Sequence, residues 1–170
     1  AGDIGSRGLR YLLLRTERPN VLAGRFVGTV AAANVALALM VAIMLFYVGL
    51  KFRIYGGAAL VTWGLQGFIA IVLLILPHIA MCTWISCSTD SAFGALALCL
   101  VLTGAPILFL KILDATLTWD LAWLDRLIPW GWKYELLSGD VGVRLTAYAV
   151  MIGFTLFFLF LAFRSFHKRD

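Results

Sequence analysis

Few residues in this chain could do chemistry. His78, Cys82 and Cys87 bring one imidazole and two thiols into a short stretch, but their spacing matches no standard zinc pattern. The cysteine count is three, and an odd number does not read as a disulfide framework, so buried apolar thiols are the simpler account. No Gly-x-x-x-x-Gly-Lys-Ser/Thr run is present to cradle a nucleotide phosphate, and neither His-Glu-x-x-His nor Gly-x-Ser-x-Gly occurs. No nucleophile sits beside a base, which leaves an intramembrane enzyme unsupported. The acids fall at the ends of apolar runs or outside them, and a proton-coupled carrier would need one at depth.

What remains is a set of arginines. Arg7, Arg10, Arg15, Arg18 and Arg25 are five of the fourteen basic residues. At 100° per residue Arg7, Arg10, Arg15 and Arg18 fall on one face, Leu9, Leu12 and Leu13 fall opposite, and Tyr11 and Leu14 make an apolar spot within the arginine face. Two readings stand. The segment anchors the chain to anionic lipid at the membrane interface. Alternatively it docks a cytoplasmic partner, with Tyr11 and Leu14 at the centre of the contact.

The rest of the chain must position that segment. It is 62% hydrophobic and 14% charged, with a mean hydropathy of +0.96, against about half apolar and a quarter charged in soluble domains. The apolar runs are long enough for helices to cross a bilayer, and the alternation of a membrane barrel is absent. The expected fold is therefore an all-α polytopic bundle: an amphipathic segment over 1–25, then a membrane domain over 26–170 with spans at about 26–50, 58–80, 91–113 and 143–163.

Within the first span Gly24, Gly28 and Ala32 form a small-x-x-x-small series, which suits helix packing. Asn34 and Gln66 lie inside spans and read as interhelical hydrogen-bonding groups or as points along a pathway. Pro77 is expected to kink the second span, and Gly104-Ala105-Pro106 to interrupt the third. Cys82 to Asp90 reads as a loop in which Ser88, Thr89 or Asp90 caps the next helix. Lys111 and Asp114 read as an interfacial pair.

Residues 114–140 hold four of the six tryptophans: Trp119, Trp123, Trp130 and Trp132. Tryptophan favours the headgroup level. The segment is too polar, and too broken by Pro129, to cross. It reads either as two short helices dipping into the outer leaflet or as a surface loop with an aromatic belt. The last span carries large residues, Phe154, Phe157, Phe158 and Phe160 among them, and is expected to face lipid. Arginines dominate 1–25, Arg164, Lys168 and Arg169 follow the last span, and acids dominate 114–140. Both termini are therefore expected on the cytoplasmic side, with Lys51 and Arg53 outside against the rule. Basic residues clustered at span ends speak for orientation and against a nucleic-acid partner.

The order Asp3, Leu9-x-x-Leu12-Leu13, Gly24-Arg25 resembles the type-2 ATP-binding cassette exporter permeases, which carry an acid, a Gly-Thr-Leu-x-x-Leu-Leu run, a proline and then Gly-Lys entering a span. Arg7 and Gly8 stand where that family has Gly and Thr or Ser, and Thr16 where it has Pro, the chain's own proline being Pro19. Pro129 and the basic tail from Arg164 to Asp170 follow in the family's order, so the resemblance covers the chain as the C-terminal two-thirds of such a permease. It implies two further spans ahead of Ala1. It also implies a re-entrant hairpin over 114–140 and a coupling role for Arg7, Arg10, Tyr11, Leu14, Arg15 and Arg18. The pathway would lie between two copies, or one copy and a paralogue, in a bacterial-type inner membrane. A separate ATPase would hold ATP and Mg, and this chain would carry no cofactor and no catalytic residue. The competing expectation is a non-transport scaffold or membrane anchor, which needs none of these features.

Overall fold

The computed structural model describes residues 18–51, 57–116 and 122–167. Four long helices dominate: α1 (Arg18–Lys51), α2 (Gly57–Ser88), α3 (Ala92–Thr116) and α5 (Val141–His167). Between α3 and α5 lie one helical turn, α4 (Ala122–Asp125), and two 3-10 turns, Pro129–Trp132 and Glu135–Leu137. There is no strand among the described residues. Each long helix is apolar around its circumference, as expected of a membrane span or a deeply buried helix. All four are long and apolar enough to cross a membrane. At 34, 32, 25 and 27 residues they reach about 38–51 Å, beyond a hydrocarbon core of about 30 Å.

Several boundaries differ from expectation. α1 begins at Arg18 rather than near Phe26, with Pro19 in its first turn, where a missing N–H leaves no bond unmade. α2 runs on to Ser88, so most of the expected loop from Cys82 is helix. The reason is local. Thr83, Ser88 and Thr89 hydroxyls donate to the carbonyls of Ile79, Trp84 and Ile85 at 2.8, 2.9 and 3.0 Å, which satisfies polar side chains without leaving the helix. The cap of α3 is Ser91, not Ser88, Thr89 or Asp90: its Oγ accepts the Gly94 N–H at 3.2 Å. α2 passes unbroken through Pro77 and α3 through Pro106, so the expected interruption at Gly104-Ala105-Pro106 is absent. The carbonyls that these prolines leave without a helical donor are those of Leu73 and Leu102.

α2 is the centre of the bundle and contacts α1, α3, α5 and both 3-10 turns. Its most extensive partner is α5. Ala70 of α2 clusters with Ala147 and Met151 of α5, and Cys87 with Ala162, so the two helices run parallel. Ala147, Met151, Thr155 and Ala162 form one buried stripe along α5, while Phe157 and Phe160 point outward. Only half of the expectation for this span holds, because the face with Ala147, Met151, Thr155 and Ala162 is buried against the bundle. Small residues let helix backbones approach closely where lipid gives no hydrophobic drive. Near the ends of both helices the Trp84 indole N–H donates to Ser165 Oγ at 3.1 Å, and the Trp84 ring stacks on Phe158 with centroids 6.2 Å apart.

α1 packs antiparallel to α2. They pack tightly at Gly64, where an added Cβ would lie 2.6 Å from Leu45 Cδ1. α3 crosses the other side of α2, where Met81, Ile85 and Ala95 cluster. The outer surfaces of α1 and α3 expose large apolar residues such as Met40, Phe46, Phe93 and Leu100.

Removing the bond across α2 and α5 should weaken the bundle measurably. Ser165→Ala is expected to cost about 1 kcal/mol and Trp84→Phe a similar amount, with the double variant close to either single one. Thermal unfolding of the four proteins in one detergent checks this; fully additive losses would show that the two groups do not act as a pair.

Candidate functional site

An open groove of about 910 Å³ lies between the first half of α1 and the last third of α2. Val21, Arg25, Gly28 and Ala32 form one wall, and His78, Cys82, Thr83 and Ser86 the other, with Phe166 of α5 at one end. Its volume falls within the range of ligand sites. Both threonine hydroxyls on its walls are committed to their own helices: Thr29 donates to the Arg25 carbonyl at 2.9 Å and Thr83 to Ile79. His78 Nδ1 lies 2.8 Å from the Leu74 carbonyl, which can only accept, so Nδ1 is the donor. Among the described residues Arg25 is the one charged residue that lines the groove.

The sequence-derived candidates are scattered relative to this groove. Arg7, Arg10, Tyr11, Leu14, Arg15 and Trp119 lie outside the described residues, and Arg18 is described only as the first residue of α1. Gly28 and Ala32 line the groove, and a Cβ at Gly24 or Gly28 would meet nothing within 4 Å. Among the described residues nothing closes on those two glycines; a tight contact is made at Gly64 instead, against Leu45. Asn34 donates to the Val30 carbonyl of its own helix at 2.9 Å, rather than to a neighbouring helix, beside a small pocket shared with Val72 and Ile75. Gln66 is exposed on α2.

The chain matches no protein-family model and no curated protein. Its reading therefore rests on residues and geometry.

His78, Cys82 and Cys87 all line the groove but have different partners. The Cys82 thiol is within hydrogen-bonding reach of Cys99 on α3, whereas Cys87 packs with Leu22 and Ala162. Among the described residues no three His, Cys, Asp or Glu side chains are grouped to hold a metal ion.

The segment before α5 is built around its aromatic residues. Ile128 is extended, as a residue before proline must be, and Pro129 opens a 3-10 turn. The Trp132 indole donates to the Arg126 carbonyl at 2.9 Å, and the Arg126 guanidinium lies 5.8 Å from the same ring. Lys133 sits 5.0 Å from Trp130 and 4.8 Å from Tyr134. Leu136, only 1% exposed, inserts among Ala70, Ala147 and Met151. Ile128, Pro129 and Trp130 share a small pocket with Pro77, Met81, Pro106 and Phe158, from all three neighbouring helices. Trp123 stays exposed. One carboxylate oxygen of Glu135 is buried without a hydrogen bond. Asp140 closes the segment by accepting the Gly142 N–H at 2.8 Å, an acid at the positive end of α5.

Gly131 is the fixed point of this segment. A Cβ there would collide with the Asp125 carbonyl, a backbone group that cannot rotate away. Gly131→Ala should therefore cost about 1–3 kcal/mol and loosen the segment first. Limited proteolysis between residues 122 and 140, compared with the wild type, checks this; an unchanged cleavage pattern and unfolding temperature would show that the turn tolerates a side chain.

Proposed function

We propose that this chain is the transmembrane permease subunit of an ATP-binding cassette exporter, driven by a separate ATPase that carries ATP and Mg. It would form its pathway with a second copy or a paralogue. The observation that carries this reading is the insertion of residues 128–136 among the long helices. Leu136 reaches Ala70 and Met151, and Ile128 to Trp130 share a pocket with Pro77, Pro106 and Phe158. Phe158 lies seventeen residues into α5, about 25 Å along its axis. A surface belt would not need that reach. The arrangement supports a re-entrant hairpin between the third and last spans, and a plain anchor has no use for one.

A second support is the start of α1. The helix is continuous from Arg18, so the arginine-bearing segment leads into a span with no flexible linker after that point. Force applied at residues 7–18 would tilt the whole helix. In this reading Arg7, Arg10, Arg15 and Arg18 steer the ATPase, and Tyr11 and Leu14 supply the centre of the contact. Arg25 and Arg164 lie toward the end of the bundle where Leu22, Cys87 and Ala162 meet, and that end faces the cytoplasm.

Tyr11→Ala with Leu14→Ala keeps every charge. It should spare membrane residence and weaken ATPase capture by roughly 2–4 kcal/mol, read by co-purification and by stimulated ATP hydrolysis. Wild-type values in both would make the segment an anchor. Orientation is read separately. In a background without Cys82, Cys87 and Cys99, cysteines at Asp120 and Asp125 should react with an impermeant maleimide from outside intact cells. Reaction from the cytoplasmic side alone would invert the topology.

A further inference from the structure

We infer that Cys82 and Cys99 form a modification site, a pair of thiols that an organic hydroperoxide closes to a disulfide tying α3 to α2. The inference needs neither the orientation of the chain nor the exporter reading. Three observations carry it.

The first is contact between the two helices. Cys99 of α3 packs against the cluster of Met81, Ile85 and Ala95. Met81 and Ile85 flank Cys82 on α2, and the Cys82 thiol lies within hydrogen-bonding reach of Cys99. Ala95 stands one turn before Cys99 and is buried in the same cluster, so a small residue lets α3 approach α2 at this level. A disulfide demands such closeness, because Cα atoms more than about 7 Å apart cannot be bridged without backbone movement.

The second is direction. Cys87 follows Cys82 by five residues, which places it about 140° round the helix. It is buried with Leu22 of α1 and Ala162 of α5, a cluster that no described residue of α3 joins. The third thiol therefore stands apart from the pair. The third observation is how thinly α3 is held. Ala95 is its one buried residue among those described, and Phe93, Leu100, Leu108 and Phe109 all point outward. A covalent bond at Cys99 would reinforce the attachment beside its single buried point.

The chemistry needs two electrons from the thiols, and the peroxide takes both. Cys82 also lines the α1–α2 groove, so it is the thiol assigned to meet the oxidant. Its sulfur attacks the terminal peroxide oxygen, the O–O bond breaks and an alcohol leaves, giving a sulfenic acid. Cys99 then attacks that sulfur, the S–S bond forms and water leaves. Apolar surroundings slow a thiol's attack. The pair is selected instead by the second sulfur already in place, which captures the sulfenic acid before it oxidises further.

The test treats the whole chain, purified in mild detergent, with cumene hydroperoxide. The protein is then unfolded in dodecyl sulfate and labelled with a polymer-tagged maleimide, which adds one mobility step per free thiol. Untreated wild type should take three tags and the oxidised protein one, with all three restored by a reductant. Peptide mass spectrometry should place the link between Cys82 and Cys99. Cys87→Ser should form the same link, at a rate independent of protein concentration, whereas Cys82→Ser and Cys99→Ser should form no disulfide within the chain. Unfolding temperatures matching the wild type before oxidation show that the variants are folded. Wild type that keeps three tags, a link that includes Cys87, or a link between chains overturns the inference. No ATPase takes part in these readouts, so this inference and the exporter reading fail separately.

Discussion

Everything described depends on the face that α2 shares with α5. Inside a bilayer, apolar side chains gain little by leaving lipid for protein, so helices hold together through close packing and a few polar bonds. The alanines at 70, 80, 147 and 162 provide the closeness, and the Trp84–Ser165 bond provides a fixed register. α1 and α3 each attach to α2. The segment between α3 and α5 is held by the same pair, because Leu136 fills the notch that Ala70 and Ala147 leave open. If α2 and α5 separated, the groove would lose its Phe166 end and residues 128–136 their socket.

Much of the architecture was legible in the sequence because lipid solvent is a strong filter. A run such as Phe26 to Leu50 has few alternatives to a transmembrane helix, and the four spans fall where hydropathy puts them. Ends were less legible. Ser88 and Thr89 look like loop formers, yet their hydroxyls bond backwards and carry α2 further. The glycines were misleading in a specific way. Gly24 and Gly28 have the spacing of a packing motif and meet nothing among the described residues, whereas Gly64, in no such motif, is where Leu45 of α1 closes in. Spacing identifies a face that permits contact; it does not say which neighbour arrives.

The groove was not legible at all. Arg25, His78 and Phe166 come from three helices and have no shared pattern along the chain. A linear signal for its chemistry did exist. Thr29 stands four residues after Arg25, and Thr83 four after Ile79, the spacing at which a hydroxyl satisfies itself on its own helix. Such a threonine counts as polar in any composition, but it presents its neighbours with little need for water. Asn34 behaves in the same way toward Val30. Polarity in these spans is largely spent locally, which is how a chain with so many hydroxyls can still live in hydrocarbon.

The parallel pairing of α2 with α5 has a consequence for biogenesis. Adjacent spans in sequence pair antiparallel as soon as both are inserted, but α5 is the last span of this stretch to emerge from a ribosome. Nearly eighty residues separate the end of α2 from the end of α5, which at typical elongation rates is roughly 4–16 s of synthesis. For that interval the α2 face that carries Ala70 lacks its α5 partner and must be covered by lipid or by the insertion machinery. A nascent chain stalled before Val141 would present that face, together with the socket for Leu136, to whatever membrane quality control inspects unassembled helices.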